Sequence, residues 1–110
     1  MKILHLNVKK KWFDLVAYGE KKIEYREYKP YWISRLMGNR TNTKELYFIH
    51  YDEIHIKNGF SRNGKSAPII KLTHVKTTLE RVEYPETVET KMCFCIYLGR
   101  IVYLSWGDAL

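Results

Sequence analysis

The first 40 residues change between two hydrophobic periods. One-by-one alternation of apolar and polar side chains predicts a half-buried strand, and apolar side chains at every third or fourth position predict a helix with one buried face. In the first helical stretch, Trp12, Leu15 and Val16 share that face. The predicted elements are a strand over residues 1–8, a helix over 10–18 ended by Gly19, a strand over 23–28, and a helix that begins at Pro30 and is ended by Gly38.

Most of the remaining chain is predicted to form strands. Gly99 and Arg100 are predicted to form the turn between the last two strands. Residues 58–68 hold two Asn-Gly pairs and are predicted to be a turn-rich loop, whereas residues 77–91 are ambiguous and fit a strand followed by a loop. The other predicted elements are a polar loop over 39–45 and strands over 46–51, 54–57, 68–76, 92–98 and 101–105.

These elements predict the fold class. Two short helices and five or six strands, all within residues 1–110, predict a single α+β domain. Strands and helices do not alternate regularly, which disfavours a parallel, doubly wound sheet. We expect a small mixed β-barrel, closed so that its strand edges are protected, with the two short helices packed against it.

Charge and aromatic content suggest a class of partner. Nineteen Lys and Arg residues against twelve Asp and Glu residues leave a formal charge of +7, and 15% of the residues are aromatic. Positive charge attracts polyanions through counterion release, and aromatic rings offer stacking surfaces to bases. RNA or a nucleotide-like ligand is therefore the expected partner. Composition alone supports equally well a basic protein whose charge serves only solubility.

The cysteines and histidines give no sign of a metal or a cofactor. Cys93 and Cys95 lie two apart in an apolar strand, where they cannot form an ordinary disulfide, so buried and inert thiols in a reducing compartment are expected. No signal-peptide or membrane-spanning pattern is present, so we expect a soluble, cytoplasmic protein with no membrane association. Metal-site spacing is also missing among the four histidines, His5, His50, His55 and His74.

A charged cluster follows the first predicted helix. Glu24 and Arg26 are two apart on a predicted strand, so their side chains project from one side together with Tyr28, and Lys21 lies just before the strand. Lys21 could act as a base or nucleophile while Glu24 transfers protons. Alternatively, Lys21 and Arg26 could hold a phosphate, Glu24 could accept from a base edge or a sugar hydroxyl, and Tyr28 or Trp32 could stack on the base. A solvated strand surface is an equally good interpretation of the pattern alone.

The cluster has a recognisable spacing. Gly19-x-Lys21-x-x-Glu24-x-Arg26 resembles the G-x-K-x-x-E-x-R signature of the ASCH domain, a member of the PUA-like superfamily. The stretches WFDLVAYGEKKIEYRE, YDEIHIKNGF, SAPIIKLTHVK and IYLGRIV are similar to small single-domain bacterial and phage members, so the resemblance covers nearly the whole chain. It implies a PUA-like barrel and a cleft, formed by Lys21, Glu24 and Arg26, that binds RNA or a nucleotide-like ligand.

The resemblance also implies two possible enzymatic activities. Some small bacterial ASCH-like proteins are amidohydrolases that remove the acyl group of N4-acylated cytidine with a lysine, a threonine and a glutamate, and other members are reported as ribonucleases. Lys21 matches the lysine, but Glu24 stands where those enzymes have threonine. The catalytic residues of such an enzyme would be Lys21 and Glu24. Because the catalytic set is incomplete, we expect binding rather than catalysis.

The loop over residues 58–68 is a second candidate for ligand contact. Arg62 and Lys65 provide positive charge next to Lys57, and Phe60 provides an aromatic ring. This combination suits contact with a phosphate and a base if the loop borders the cleft. A solvated loop is the alternative interpretation.

Overall fold

The computed structural model of the protein describes residues 1–39, 45–60, 64–83 and 90–107. Within these ranges the fold is mixed α+β with two helices, so the predicted α+β class is confirmed. The elements in chain order are β1 Ile3–Asn7, α1 Lys10–Ala17, β2 Ile23–Glu27, α2 Pro30–Leu36, β3 Met37–Asn39, β4 Leu46–Phe48, β5 Glu53–Lys57, β6 Ile69–Glu83 and β7 Thr90–Ser105.

Five of the strands form one sheet in the order β1-β5-β6-β7-β2, and β3 pairs with β4 in a separate two-stranded sheet. β1 runs parallel to β5, whereas the β5–β6, β2–β7 and β3–β4 pairs are antiparallel. Among the described residues the larger sheet has two ends and is not closed into a barrel, so the predicted barrel stays a prediction. None of the described helices is long and apolar enough to cross a membrane.

Residue contacts divide the chain into two compact units. Both units draw on β6 and β7, which are long enough to contribute to each. The first unit takes the described residues of Met1–Lys22, Tyr51–Val75 and Leu98–Leu110, and the second takes those of Ile23–His50 and Lys76–Tyr97.

The first unit has its core on one side of β1, β5 and β6. Helix α1 adds Phe13 and Val16, both 1% exposed, to the buried residues. Trp12 was predicted to lie on the buried face of this helix, and that was wrong, because Trp12 is 40% exposed and Phe13 is buried instead. Gly19 follows the helix in the left-handed conformation, with φ 77°, so the predicted end of the helix at this glycine is confirmed. The buried strand residues of this core are Leu4, Leu6, Ile54, Ile56, Ile70 and Leu72.

The second unit has Phe94 and Ile96 of β7 and Leu36 of α2 fully buried. Helix α2 begins at Pro30 as predicted, since proline suits the first turn, where its missing N–H needs no partner. The chain then continues directly into β3, which the sequence analysis missed. Gly38 lies within that strand against the Tyr47 ring, and a Cβ at this position would lie 2.5 Å from Tyr47 Cζ.

Gly99 was also misinterpreted. The predicted hairpin across Gly99 and Arg100 is wrong, because β7 runs through both residues as one strand. A Cβ at Gly99 would overlap Thr73 Oγ1, so this glycine permits two strands to approach closely instead of forming a turn. The Arg100 N–H donates to the same Thr73 hydroxyl at 3.0 Å.

The structure assigns part of the segment over residues 77–91, whose secondary structure was ambiguous from sequence. β6 extends to Glu83, well past the predicted strand end at residue 76, and residues 84–89 lie outside the described part of the chain. Most of the polar loop predicted over 39–45 also lies outside it, whereas β3 includes Asn39. Gly59 and Gly64 have φ 81° and 74°, as expected for the turn glycines of the loop over 58–68.

Candidate nucleic-acid interface

The charged motif residues of β2 lie on a strand whose register is fixed by β7. Glu24 pairs with Ile96 and Arg26 with Phe94 in an antiparallel ladder. Since side chains alternate along a strand, Glu24 and Arg26 project from the same side, and Tyr25 between them projects from the other. This side carries the buried residues Phe94 and Ile96 of the second unit.

Glu24 is buried at this position, with only 6% of its surface exposed. Its Oε1 atom accepts a hydrogen bond from the Tyr25 N–H at 3.2 Å, and both Glu24 Oε2 and Arg26 Nε are shielded from solvent. Burying an ionisable carboxyl group costs free energy unless the group is hydrogen-bonded or paired with an opposite charge. The interpretation of the motif as a solvated strand surface therefore does not hold for Glu24.

Arg26 lies against an aromatic ring from the next element along the chain. Its guanidinium carbon is 5.0 Å from the centre of the Trp32 ring on α2, a cation–π arrangement. Such contacts stabilise by about 0.5–2 kcal/mol and hold the guanidinium in place. The structure thus brings together two of the predicted ligand-binding residues, Arg26 and Trp32, which lie on different secondary-structure elements.

Tyr28 adds another accessible aromatic ring close to this strand. Its ring centre is 5.6 Å from that of the buried Phe94, and its backbone N–H donates to Met92 O at 3.1 Å. Even so, 48% of Tyr28 remains exposed. The tyrosine is therefore anchored and still accessible to a ligand.

Lys21 belongs to the first unit, just after α1. Its backbone N–H donates to Leu15 O at 3.0 Å, and its Nζ atom is 5.0 Å from the centre of the Trp12 ring. Trp12 thus acts as a partner of Lys21 instead of a core residue. The cleft predicted to join Lys21 with Glu24 and Arg26 stays a prediction.

The predicted contact loop is fixed to the end of β1. The Asn7 side chain donates from Nδ2 to Gly59 O at 2.9 Å and accepts from the Gly59 N–H at 3.0 Å. Phe60, the next residue, is 75% exposed, and Lys65 is also exposed. Arg62, the other predicted ligand-binding residue of this loop, lies outside the described residues.

The second unit also holds a polar cluster that was not predicted from the sequence. Glu80 Oε2 accepts hydrogen bonds from the Thr78 hydroxyl at 2.6 Å and from the Tyr97 hydroxyl at 3.2 Å. The bond from Thr78, followed by those from Cys95 and Tyr97, lowers the pKa of Glu80. Thr78 and Glu80 lie on β6, and only the register with the neighbouring strand β7 brings Tyr97 to them, for which the ambiguous segment of the sequence offered no signal.

Both cysteines are free and buried, which confirms their predicted burial. Burial, and next the hydrogen bond to Glu80, raises the pKa of the Cys95 thiol to about 11 from an ordinary value of 9.0. The thiolate is the reactive form of cysteine, so Cys95 is poorly placed to act as a nucleophile.

We expect Cys95 to react with iodoacetamide about 100-fold more slowly in the folded protein than an ordinary thiol at about pH 8, because a pKa two units higher leaves correspondingly less thiolate. Mass spectrometry of the timed reaction would measure the rate. The same protein in denaturant, where both thiols should label quickly, is the control. Rapid labelling of Cys95 in the folded protein would contradict the expectation.

Two histidines make ordinary hydrogen bonds. His74 Nδ1 accepts from the Tyr51 N–H at 3.0 Å, and His55 Nε2 lies 2.8 Å from Glu53 Oε1. Among the residues that the structure describes, no group of three His, Cys, Asp or Glu side chains is arranged to hold a metal ion.

Comparisons of the chain with protein-family models, curated proteins and solved structures find no match. The ASCH assignment therefore rests on the residues of the motif and its context, and it stays a prediction.

Proposed function

We propose that this chain is an RNA- or nucleotide-binding domain of the ASCH type, with Arg26 and Trp32 at the centre of its ligand contact. The observation that carries the proposal is the guanidinium of Arg26 held 5.0 Å from the Trp32 ring, on the same strand side as the buried Glu24. A fixed cation beside an aromatic ring suits a ligand that combines phosphate with a planar base.

Each residue has a distinct role in this proposal. Arg26 and Lys21 contact phosphate, for which the fork of an arginine is well shaped. Tyr28 and Trp32 offer ring faces to a base. Glu24, which as a carboxylate only accepts hydrogen bonds, orients a base amino group or a sugar hydroxyl.

The proposal extends to the fold and the setting of the protein. It includes a single PUA-like domain whose sheet closes into a barrel, with the cleft of Lys21, Glu24 and Arg26 at its surface. It also includes a cytoplasmic location, where RNA is available, and an auxiliary contact from Arg62 and Lys65.

Replacing Arg26 tests this function. We expect Arg26→Ala to weaken binding of a fluorescein-labelled single-stranded RNA by about tenfold, and to reduce the slope of log affinity against log salt by about 0.7, the value for one lost phosphate contact. Fluorescence anisotropy at several salt concentrations gives both quantities. Trp32→Ala should weaken binding while leaving the salt slope nearly unchanged, because it removes no charge.

Arg81→Ala is the matched control, since Arg81 is exposed on β6 of the same unit and its loss changes the charge equally. Equal weakening by Arg26→Ala and Arg81→Ala would reduce the interaction to general charge attraction and overturn the proposed site. Wild-type protein that binds no RNA and no nucleotide would overturn the function itself.

Hydrolysis of N4-acylated cytidine is the second candidate function, and the burial of Glu24 favours it. A shielded carboxyl group is suited to transferring a proton between water and a leaving amine. In this reaction water adds to the acyl carbon, the bond from that carbon to N4 breaks, and cytidine and a carboxylic acid are released. Release of cytidine from N4-acetylcytidine, lost in Lys21→Ala, would favour this alternative, and cleavage of the labelled RNA would favour a ribonuclease.

A further inference from the structure

One side of the sheet in the first unit carries a row of polar and aromatic side chains, which we call the basic sheet face. Its members are His5 of β1, His55 and Lys57 of β5, Lys71 of β6 and Tyr103 of β7. The registers pair His5 with His55 and His55 with Lys71. Because neighbouring strands lie about 4.8 Å apart, the four strands span about 15 Å from end to end.

The opposite side of these strands is the core of the first unit. On β1, β5 and β6 the residues that alternate with the basic sheet face are almost completely buried, whereas Val102 and Leu104, on either side of Tyr103 in β7, are exposed. His5 and Lys57 are exposed, whereas the core residues on the other side are Leu4, Leu6, Ile54, Ile56, Ile70 and Leu72.

At the histidine end of the row His55 is buried, with 7% of its surface exposed, and Glu53 of the same strand projects from the same side. The rings of His5 and His55 meet edge to face, with centres 5.4 Å apart. Glu53 Oε1 lies 2.8 Å from His55 Nε2 and holds that ring in position. Partial burial, and then the nearby His55 and Lys57, lower the pKa of His5. Neutral His5 retains an N–H that can donate to an anionic oxygen.

The other end of the row combines a cation with an aromatic ring. Lys71 Nζ is 4.8 Å from the centre of the Tyr103 ring, and 50% of Tyr103 is exposed. An accessible ring beside a lysine is the arrangement by which sheets bind unstacked bases while their phosphates meet positive charge.

We propose that the basic sheet face binds single-stranded nucleic acid, with a base stacked on Tyr103 and the adjoining phosphates held by Lys71, Lys57 and His5. A ligand with repeated phosphates and planar bases matches a surface that carries the cations Lys57 and Lys71 on neighbouring strands and an aromatic ring beside Lys71. An acidic peptide would use the cations and leave Tyr103 without a stacking partner. This surface goes beyond the proposed function because it lies wholly within the first unit and uses neither Arg26 nor Trp32.

A pair of lysines on one strand provides a matched test. Lys71 contacts Tyr103 and Lys76 contacts Tyr97, each with its Nζ 4.8 Å from the ring centre and each on β6. With fluorescein-labelled oligouridine as the probe, Lys71→Ala should lower the salt slope by about 0.7 and Lys76→Ala should leave it unchanged. Tyr103→Ala should weaken binding by about 5- to 100-fold through lost stacking, whereas Tyr103→Phe should bind as the wild type does.

Several outcomes would overturn the basic sheet face. Equal effects of Lys71→Ala and Lys76→Ala would reduce it to general charge attraction, and unchanged binding by Tyr103→Ala would remove the stacking contact. Complete displacement of the oligouridine by polyglutamate at matched charge would identify an acidic-peptide surface instead. If a Tyr103→Ala protein fails to fold by circular dichroism, the Lys71→Ala and Lys76→Ala pair still decides.

The same assay separates this inference from the proposed function. Loss of binding in Tyr103→Ala with normal binding by Arg26→Ala would support the basic sheet face and overturn the Arg26 site. The reverse pattern would overturn the basic sheet face alone, and losses in both variants would support two contact surfaces.

Discussion

Phe94→Ala is expected to lower the free energy of unfolding by about 3–5 kcal/mol, the usual cost of emptying a buried phenylalanine site. Phe94 is fully buried in β7 and packs against the rings of Tyr28 and Phe48, at centre distances of 5.6 and 6.4 Å. The free energy of unfolding of a small domain is only about 5–15 kcal/mol, so this one change could remove a large part of it.

Urea denaturation followed by tryptophan fluorescence would measure the loss. Phe60→Ala is the matched control, because Phe60 is 75% exposed and the same truncation there should change stability by less than about 0.5 kcal/mol. If the two variants unfolded at the same urea concentration, the placement of Phe94 in the core would be wrong. The Tyr28 ring loses its support in Phe94→Ala, so RNA binding by the folded fraction should also weaken.

Gly99→Ala is expected to destabilise the protein by about 1–3 kcal/mol, the typical cost of overpacking. The added methyl group would overlap Thr73 Oγ1 and would lie 3.0 Å from the Thr73 backbone oxygen. The Thr73 side chain cannot rotate away without losing a hydrogen bond, because its hydroxyl accepts from the Arg100 N–H at 3.0 Å.

A double-mutant cycle makes this expectation specific. Thr73→Ala removes the overlapping hydroxyl, so Gly99→Ala should cost less in that background than in the wild type. Unfolding of the four proteins in urea gives the coupling energy between the two positions. Additive effects would show that the close approach of Thr73 does not require a glycine at position 99.

The elements that carry their own start and stop signals could be predicted from sequence. Helix α2 has Pro30 at its beginning, and α1 is followed by Gly19 in the left-handed conformation, so local chemistry sufficed for both. Gly38 and Gly99 misled the prediction because a glycine that admits a neighbouring side chain has the same local signature as one that ends an element. Distinguishing the two requires Tyr47 and Thr73, which lie on other strands and meet these glycines only in the fold.

The candidate site could likewise be predicted only where it depends on local sequence. The shared side of Glu24 and Arg26 follows from the period of two, and the sequence predicted it. The burial of Glu24 and the contact of Arg26 with Trp32 depend on packing, which no local pattern encodes. The bonds of Glu80 with Thr78 and Tyr97 depend on strand register and were missed for that reason.

The division of the chain into two units has a consequence for its inheritance. The chain passes between the units four times, and two of these passages fall within β6 and β7. No uninterrupted piece of the gene therefore encodes either unit. Recombination that exchanges a single gene segment therefore cannot transfer one whole unit without also transferring part or all of the other.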